Sequence, residues 1–201
     1  MSCSLELQGI SVLPADSWWG GGVSATRKIL QRFSNTQVPV AEVTLKGINP
    51  FPDQWRKEVF KIDFMPALNQ TPLEDEVSPQ APVTGQALLA ASLVSAKEPV
   101  TIIATGPLTN IAWVLDNHPE LESRIAEVLI TGGALNVPGN VFPKDAEGSD
   151  GSPEWNFFWD PPAAKRVWDS KLRLVLTPLD STNEVPVSKD ILLRYYVKVG
   201  G

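Results

Sequence analysis

The chain has one cysteine, Cys3, and one histidine, His118. A lone cysteine excludes an internal disulfide and any multi-cysteine metal site. There is no basic excess. Lys and Arg number 17 against 23 Asp and Glu, and the net charge of −6 argues against nucleic acid or an anionic membrane as partner. No run approaches the ~18 uninterrupted apolar residues that a membrane span needs. The first residues show no basic region leading into an apolar stretch, so no signal peptide is evident. A cytoplasmic location is expected, or an extracellular one if the true start lies upstream. Dinucleotide and P-loop fingerprints are also missing. What is there is a chain of 201 residues, 43% of them apolar, which allows one domain with a core.

Short apolar runs alternate with helical patterns. Leu5–Leu13 reads as a strand, Ser24–Phe33 as a helix with Ser24 as its N-cap and Ile29, Leu30 and Phe33 on its apolar face, and Val38–Leu45 as a second strand. Asn49–Pro72, rich in Pro, Trp and Asn, reads as an irregular excursion. Gly85–Ala96 is a small-residue helix. Val100–Ala104 is a buried strand that breaks at Thr105-Gly106-Pro107 and turns into a helix with Pro107 at its first position. Glu127–Thr131 is another strand, and a long loop covers Gly133–Pro153. A helix starts after Asp160, and Leu172–Thr177 is the last clear strand. This alternation predicts an α/β fold, a mostly parallel sheet flanked by helices. Thr105, Thr131 and Thr177 then end their strands on one sheet edge, where open α/β sheets bind ligands.

Several features invite chemistry. Trp18-Trp19-Gly20-Gly21-Gly22 before a helix could hold a phosphate, but it lacks the spacing and the lysine, and a turn fits better. His118 follows a helix at the far end from the ligand edge and reads as a solvated residue. The acidic loop Asp145–Asp150 departs from a calcium-loop pattern and reads as solvated. Glu154 and Asn156 lie two apart, so in an extended segment they share a face. A carboxylate beside an amide suits the vicinal hydroxyls of a sugar, with helix capping as the structural alternative.

Four ordered stretches, ATGPLTNIAW, LITGGALNVPGN, PEWNFFWDPPAAKRVW and LTPLDSTNEVPV, resemble the inosine–uridine nucleoside hydrolase family. GISVLPAD, SATRKIL and NPFPDQWR resemble its plant-type branch. The resemblance implies hydrolysis of the N-glycosidic bond of ribonucleosides to ribose and free base, with Ca²⁺ holding the sugar hydroxyls and the attacking water. It implies that the Thr105 backbone carbonyl is a metal ligand, and that Asp16, Asn140, Glu154 and Asn156 contact the substrate. Thr131 stands where many members carry methionine.

The family's Asp-x-Asp-x-x-x-Asp-Asp run, which supplies calcium carboxylates and the base, has no match here, so no catalytic residue is assigned. By the resemblance, residues 1–201 correspond to the central part of the hydrolase domain, without that motif and without a C-terminal segment. The expectation is a chain that is inactive alone and binds Ca²⁺ poorly, with a pseudoenzyme that binds a ribose-like ligand or a partner chain as the alternative. An open sheet edge there invites association, into a homo-oligomer or an aggregate.

Overall fold

The computed structural model describes residues 5–16, 21–35, 37–49, 51–55, 81, 83–186, 188–190 and 194. Among these residues five strands form two parallel sheets. β1 (Ile10–Val12) pairs with β2 (Val40–Glu42), in register Ile10 to Val40. β3 (Val100–Ala104), β4 (Ile125–Thr131) and β5 (Leu174–Thr177) form the second sheet in that order. Ala104 aligns with Ile130, and Thr131 with Thr177. The parallel α/β expectation holds, with the strands divided between two sheets.

The helices follow their caps. α1 is Gly21–Arg32, and α2 is Gly85–Ser95 with Thr84 accepting a hydrogen bond from the Ala87 N–H at 3.4 Å. Gly85 is required where α2 meets β2, because a Cβ there would stand 2.6 Å from Val43 Cγ2 and 2.8 Å from its backbone nitrogen. α3 (Thr109–Asn117) and α5 (Pro161–Trp168) cover one face of the larger sheet. Between them lies the main core, in which Leu93, Leu108, Ile111, Leu115, Val128, Ile130 and Val167 are buried. α4 (Trp155–Trp159) and α6 (Leu179–Thr182) are short. Asp160 joins two of these elements: it caps α5 through the Ala163 N–H at 3.3 Å and accepts from Thr109 Oγ1, at the start of α3, at 2.7 Å.

Several boundaries differ from expectation. The first strand is only Ile10–Val12; Leu5 lies outside it and is 94% exposed. Ser24 lies inside α1, which starts at Gly21, and the buried face is Val23, Arg27 and Leu30, while Ile29 and Phe33 are exposed. Pro107 precedes α3 rather than opening it, and Leu108 is the N-cap. The strands expected over Val38–Leu45 and Leu172–Thr177 shorten to β2 and β5, and Glu127–Thr131 extends back to Ile125. Trp18, Trp19 and Gly20, and most of Asn49–Pro72, lie outside the described residues. Among the described residues no helix is long and apolar enough to cross a membrane.

Candidate functional site

The site residues gather where β4 ends. In a parallel ladder alternate residues point their backbone groups to alternate neighbours. The Thr131 carbonyl belongs to the set facing β3, but β3 has already stopped at Ala104. Asn156 takes the vacated place, donating from Nδ2 to that carbonyl at 2.8 Å. Glu154, only 7% exposed, accepts from the N–H of Gly133 at 3.0 Å, of Asn156 at 3.0 Å and of Phe157 at 3.2 Å. It thus caps α4 and pins the turn after β4 at once. Asn140 Oδ1 accepts from the Trp155 N–H at 2.9 Å, which joins the long loop to the same helix start.

The expected pairing of Glu154 and Asn156 on one face of an extended segment is corrected here. Glu154 is the N-cap of α4 and Asn156 lies inside that helix. They converge on the end of β4 because the first helical turn brings both beside it. Glu154 therefore has the capping role first weighed as the structural alternative, and its Oε1 still faces fewer donors than Oε2.

An aromatic cluster supports this corner. Trp155 stacks on Phe51, with centroids 4.6 Å apart, and meets Trp55 and Phe158 edge-on. Ala15 and Val141 are buried in the same cluster. Ala15 therefore carries its neighbour Asp16, which is exposed, into the vicinity of Asn140 and Trp155. Thr105, also exposed, follows Ala104 and so stands next to the end of β4 by register. It lines a groove beside β3, whereas Glu154 lines a separate depression of about 460 Å³ with Gly133, Phe157 and Trp168. Asn140, Glu154, Asn156 and Thr131 are drawn together; Asp16 and Thr105 stand at the margins.

The described residues do not fit a calcium ion. Calcium takes 6–8 oxygen ligands, several of them carboxylates. Among the described residues no three His, Cys, Asp or Glu side chains are grouped to hold a metal. The Glu154 carboxylate is already occupied by three backbone N–H groups. His118 lies 3.5 Å from Glu120 at the end of α3, away from this corner, and Asp150 serves its own loop by accepting from Ser152.

Asp180 is a residue that sequence reasoning missed. It accepts from the N–H of Leu135 at 2.9 Å and of Asn136 at 2.8 Å, tying the loop after β4 to α6, the short helix after β5. The available signal is its place two residues beyond Pro178, which ends the last strand. The Leu135 N–H, aided by that of Asn136, holds its pKa below the ordinary aspartate value. A depressed folded value means the tie is complete above the unfolded value, near pH 4, and is lost as pH falls through the folded one. In NMR titration the Leu135 and Asn136 amides are expected to shift together, with a midpoint below that of free aspartate, and Asp180→Asn is expected to remove the transition. A midpoint at the free-aspartate value would show that the tie is not made.

Parallel strands flanked by helices define an open α/β domain, with polar side chains collected at the C-terminal ends of its strands, the edge on which open α/β sheets bind ligands. Comparison with known proteins makes this specific. Residues 1–200 match the family model "Inosine-uridine preferring nucleoside hydrolase", and the chain belongs to that family. It is 40% identical over 112 residues to the pyrimidine-specific ribonucleoside hydrolase RihA of Escherichia coli (strain SMS-3-5 / SECEC), a match covering 56% of this chain and 33% of that protein. The crystal structure of the inosine-uridine preferring nucleoside hydrolase of Bacillus anthracis is 36% identical, with a TM-score of 0.87 over 98% of this chain and 63% of that one. The plant nucleoside hydrolase PpNRh1, 19% identical with a TM-score of 0.67 over 88% of this chain and 52% of that one, shares the fold. The likeness to a plant-type branch thus rests on the sequence stretches alone. The chain spans a third of the curated relative's length and under two thirds of the Bacillus anthracis chain.

Proposed function

We propose that this chain is the ribose-facing central part of a ribonucleoside N-glycosidase, and that alone it binds a ribose-like ligand without cleaving nucleosides. The observation that carries this reading is the set Asn140, Glu154 and Asn156 held around the end of β4, with no acidic cluster among the described residues. Each side chain uses some of its polar atoms on the fold and leaves others for a ligand. Asn156 directs Nδ2 to Thr131 and keeps Oδ1 as an acceptor. Asn140 uses Oδ1 on Trp155 and keeps Nδ2 as a donor. Glu154 Oε1 retains acceptor capacity. A sugar hydroxyl both donates and accepts, so it matches a mixed set of this kind.

Hydrolysis needs more. The oxocarbenium-like transition state requires charge stabilisation and an activated water. Bulk water has a pKa of about 15.7, and only a metal ion or a well-placed base makes it a nucleophile at neutral pH. Calcium, where bound in a complete hydrolase, would supply that activation; of this chain's residues the resemblance implies only the Thr105 carbonyl as a ligand, with Asp16 as a substrate contact.

The test uses purified chain with millimolar Ca²⁺, inosine and uridine, following free base by chromatography, and a parallel NMR titration with ribose. Ribose is expected to shift the side-chain amides of Asn140 and Asn156, and base release is expected to equal that of a control without protein. Turnover abolished by a chelator would overturn the inactive reading and show that other carboxylates, Asp16 or those of Asp145–Asp150, build a metal site. Ribose that leaves both amides unmoved would overturn the binding role.

A further inference from the structure

The loop that carries Asn140 is anchored at two points, and one of them lies outside the ribose-facing set. Where β4 ends, the chain stays against the end of β5. The Gly132 N–H donates to Thr177 O at 3.2 Å, and the Leu179 N–H to Gly133 O at 2.9 Å. Asp180 in α6 is thereby held beside the outgoing loop and receives its Leu135 and Asn136 N–H groups. Among the described residues no other hydrogen-bond partner is found for residues 134–139. At the second anchor the Asn140 and Val141 N–H groups both donate to Pro153 O, and Asn140 Oδ1 accepts from the Trp155 N–H.

Only Val137, Pro138 and Gly139 lie between the two anchors. This link has little slack. Proline fixes its own φ, and the residue before it is confined to extended backbone. Gly139 is pressed against the backbone of Ser152 and Pro153, where a Cβ would find no room. Few torsions are left to absorb a shift of Asn136, so the shift reaches Asn140. Glu154 and Asn156 are insulated from it, because they start α4, whose Trp155 is stacked on Phe51. The anchor also needs a carboxylate. The Leu135 N–H meets Oδ2 and the Asn136 N–H meets Oδ1, and an amide offers only one acceptor oxygen for the two.

We propose that Asp180 is a positioning residue for the sugar site: by holding Leu135 and Asn136 it sets, through Val137, Pro138 and Gly139, the place from which Asn140 offers Nδ2 to a ribose hydroxyl. This rests on the ribose-facing reading of Asn140 and names the residue that controls it. Protonation removes an acceptor as the amide does, so the control follows pH: it is complete at neutral pH and is lost as pH falls below the ordinary aspartate range. Neither β5 nor residues 132–143 carry a charged side chain. The charged neighbours are Glu184, four residues on, and Glu154, bound to the Gly133 N–H of the same turn. Asp180→Asn leaves both in place, so a transition that it removes belongs to Asp180.

The test uses the isotope-labelled full chain and its Asp180→Asn variant, with folding followed by circular dichroism. Without ligand, the Asn140 side-chain amide is expected to move on acidification with the same midpoint as the Leu135 and Asn136 amides. In Asp180→Asn it is expected to be displaced already at neutral pH, a comparison that decides the matter where acid unfolds the chain first. Ribose titrated at neutral pH is expected to bind Asp180→Asn about tenfold more weakly, the order of one hydrogen bond lost. An Asp180 that only stabilises the fold lowers the thermal midpoint but leaves the Asn140 amide unmoved and ribose affinity level, and that result overturns the proposal. A wild-type chain that binds no ribose overturns the ribose reading instead, and the Asn140 amide alone then decides for or against Asp180.

Discussion

Gly139→Ala is expected to lower stability by about 4 kcal/mol, a fall of roughly 10 °C in midpoint for a chain of this length. A Cβ at this position would lie 2.0 Å from the Pro153 carbonyl oxygen and 2.4 Å from that of Ser152. Both obstacles are backbone, so no side-chain rotation relieves them. The loop must open, and with it go the hydrogen bonds from the Asn140 and Val141 N–H groups to Pro153 O, at 3.0 and 3.1 Å. Overpacking costs about 1–3 kcal/mol, and each lost hydrogen bond about 0.5–1.5. Gly106→Ala is the control: nothing lies within 4 Å of the methyl it adds, and its midpoint is expected to be that of the wild type. Thermal and urea denaturation followed by tryptophan fluorescence measure the midpoint and the stability of both variants. A wild-type midpoint for Gly139→Ala would mean that the Gly139–Pro153 contact is absent in solution.

Glu154→Ala is expected to cost about 3 kcal/mol. An N-cap is worth about 0.5–2 kcal/mol, and the Gly133 N–H, left without its acceptor, adds about 1–3. Glu154→Gln should fall between, since its amide oxygen still accepts while its nitrogen meets a backbone N–H where Oε2 accepted. The two roles of this residue separate in a second measurement. If Oε1 also receives a sugar hydroxyl, Glu154→Gln weakens ribose binding at temperatures where the variant remains folded. If the residue only caps, ribose affinity stays level while the midpoint drops. An unaltered midpoint in Glu154→Ala would sink the cap itself.

Part of this protein was legible as text. The β-branched run at Val100–Ala104, the Pro and Gly that stop β3, β4 and β5, and the helix after Asp160 follow from local preference, because turn chemistry and caps act within a few residues. Asp160 as an N-cap needs only its place before Pro161 and Pro162. The family was legible from four ordered stretches, and the family match over residues 1–200 agrees. Strand length was not legible. Leu5 and Leu7 continue an apolar pattern but stay exposed, since a strand extends only as far as it has a partner.

The geometry of the corner at β4 was decided by the tertiary fold. From the chain alone Glu154 and Asn156 are two polar residues with the right types for a sugar. Whether they share a face depends on the helix that starts at Trp155, and that short helix is held by a stacked Phe51 more than a hundred positions earlier in sequence. The sequence by itself determined the α/β class, the family and the residue types available for ribose. Only the tertiary structure decided which polar atoms stay free, that the Thr131 carbonyl is met by Asn156, and that the strands of the described residues fall into two sheets. Those outcomes depend on contacts between residues far apart in the chain, which local propensity does not encode.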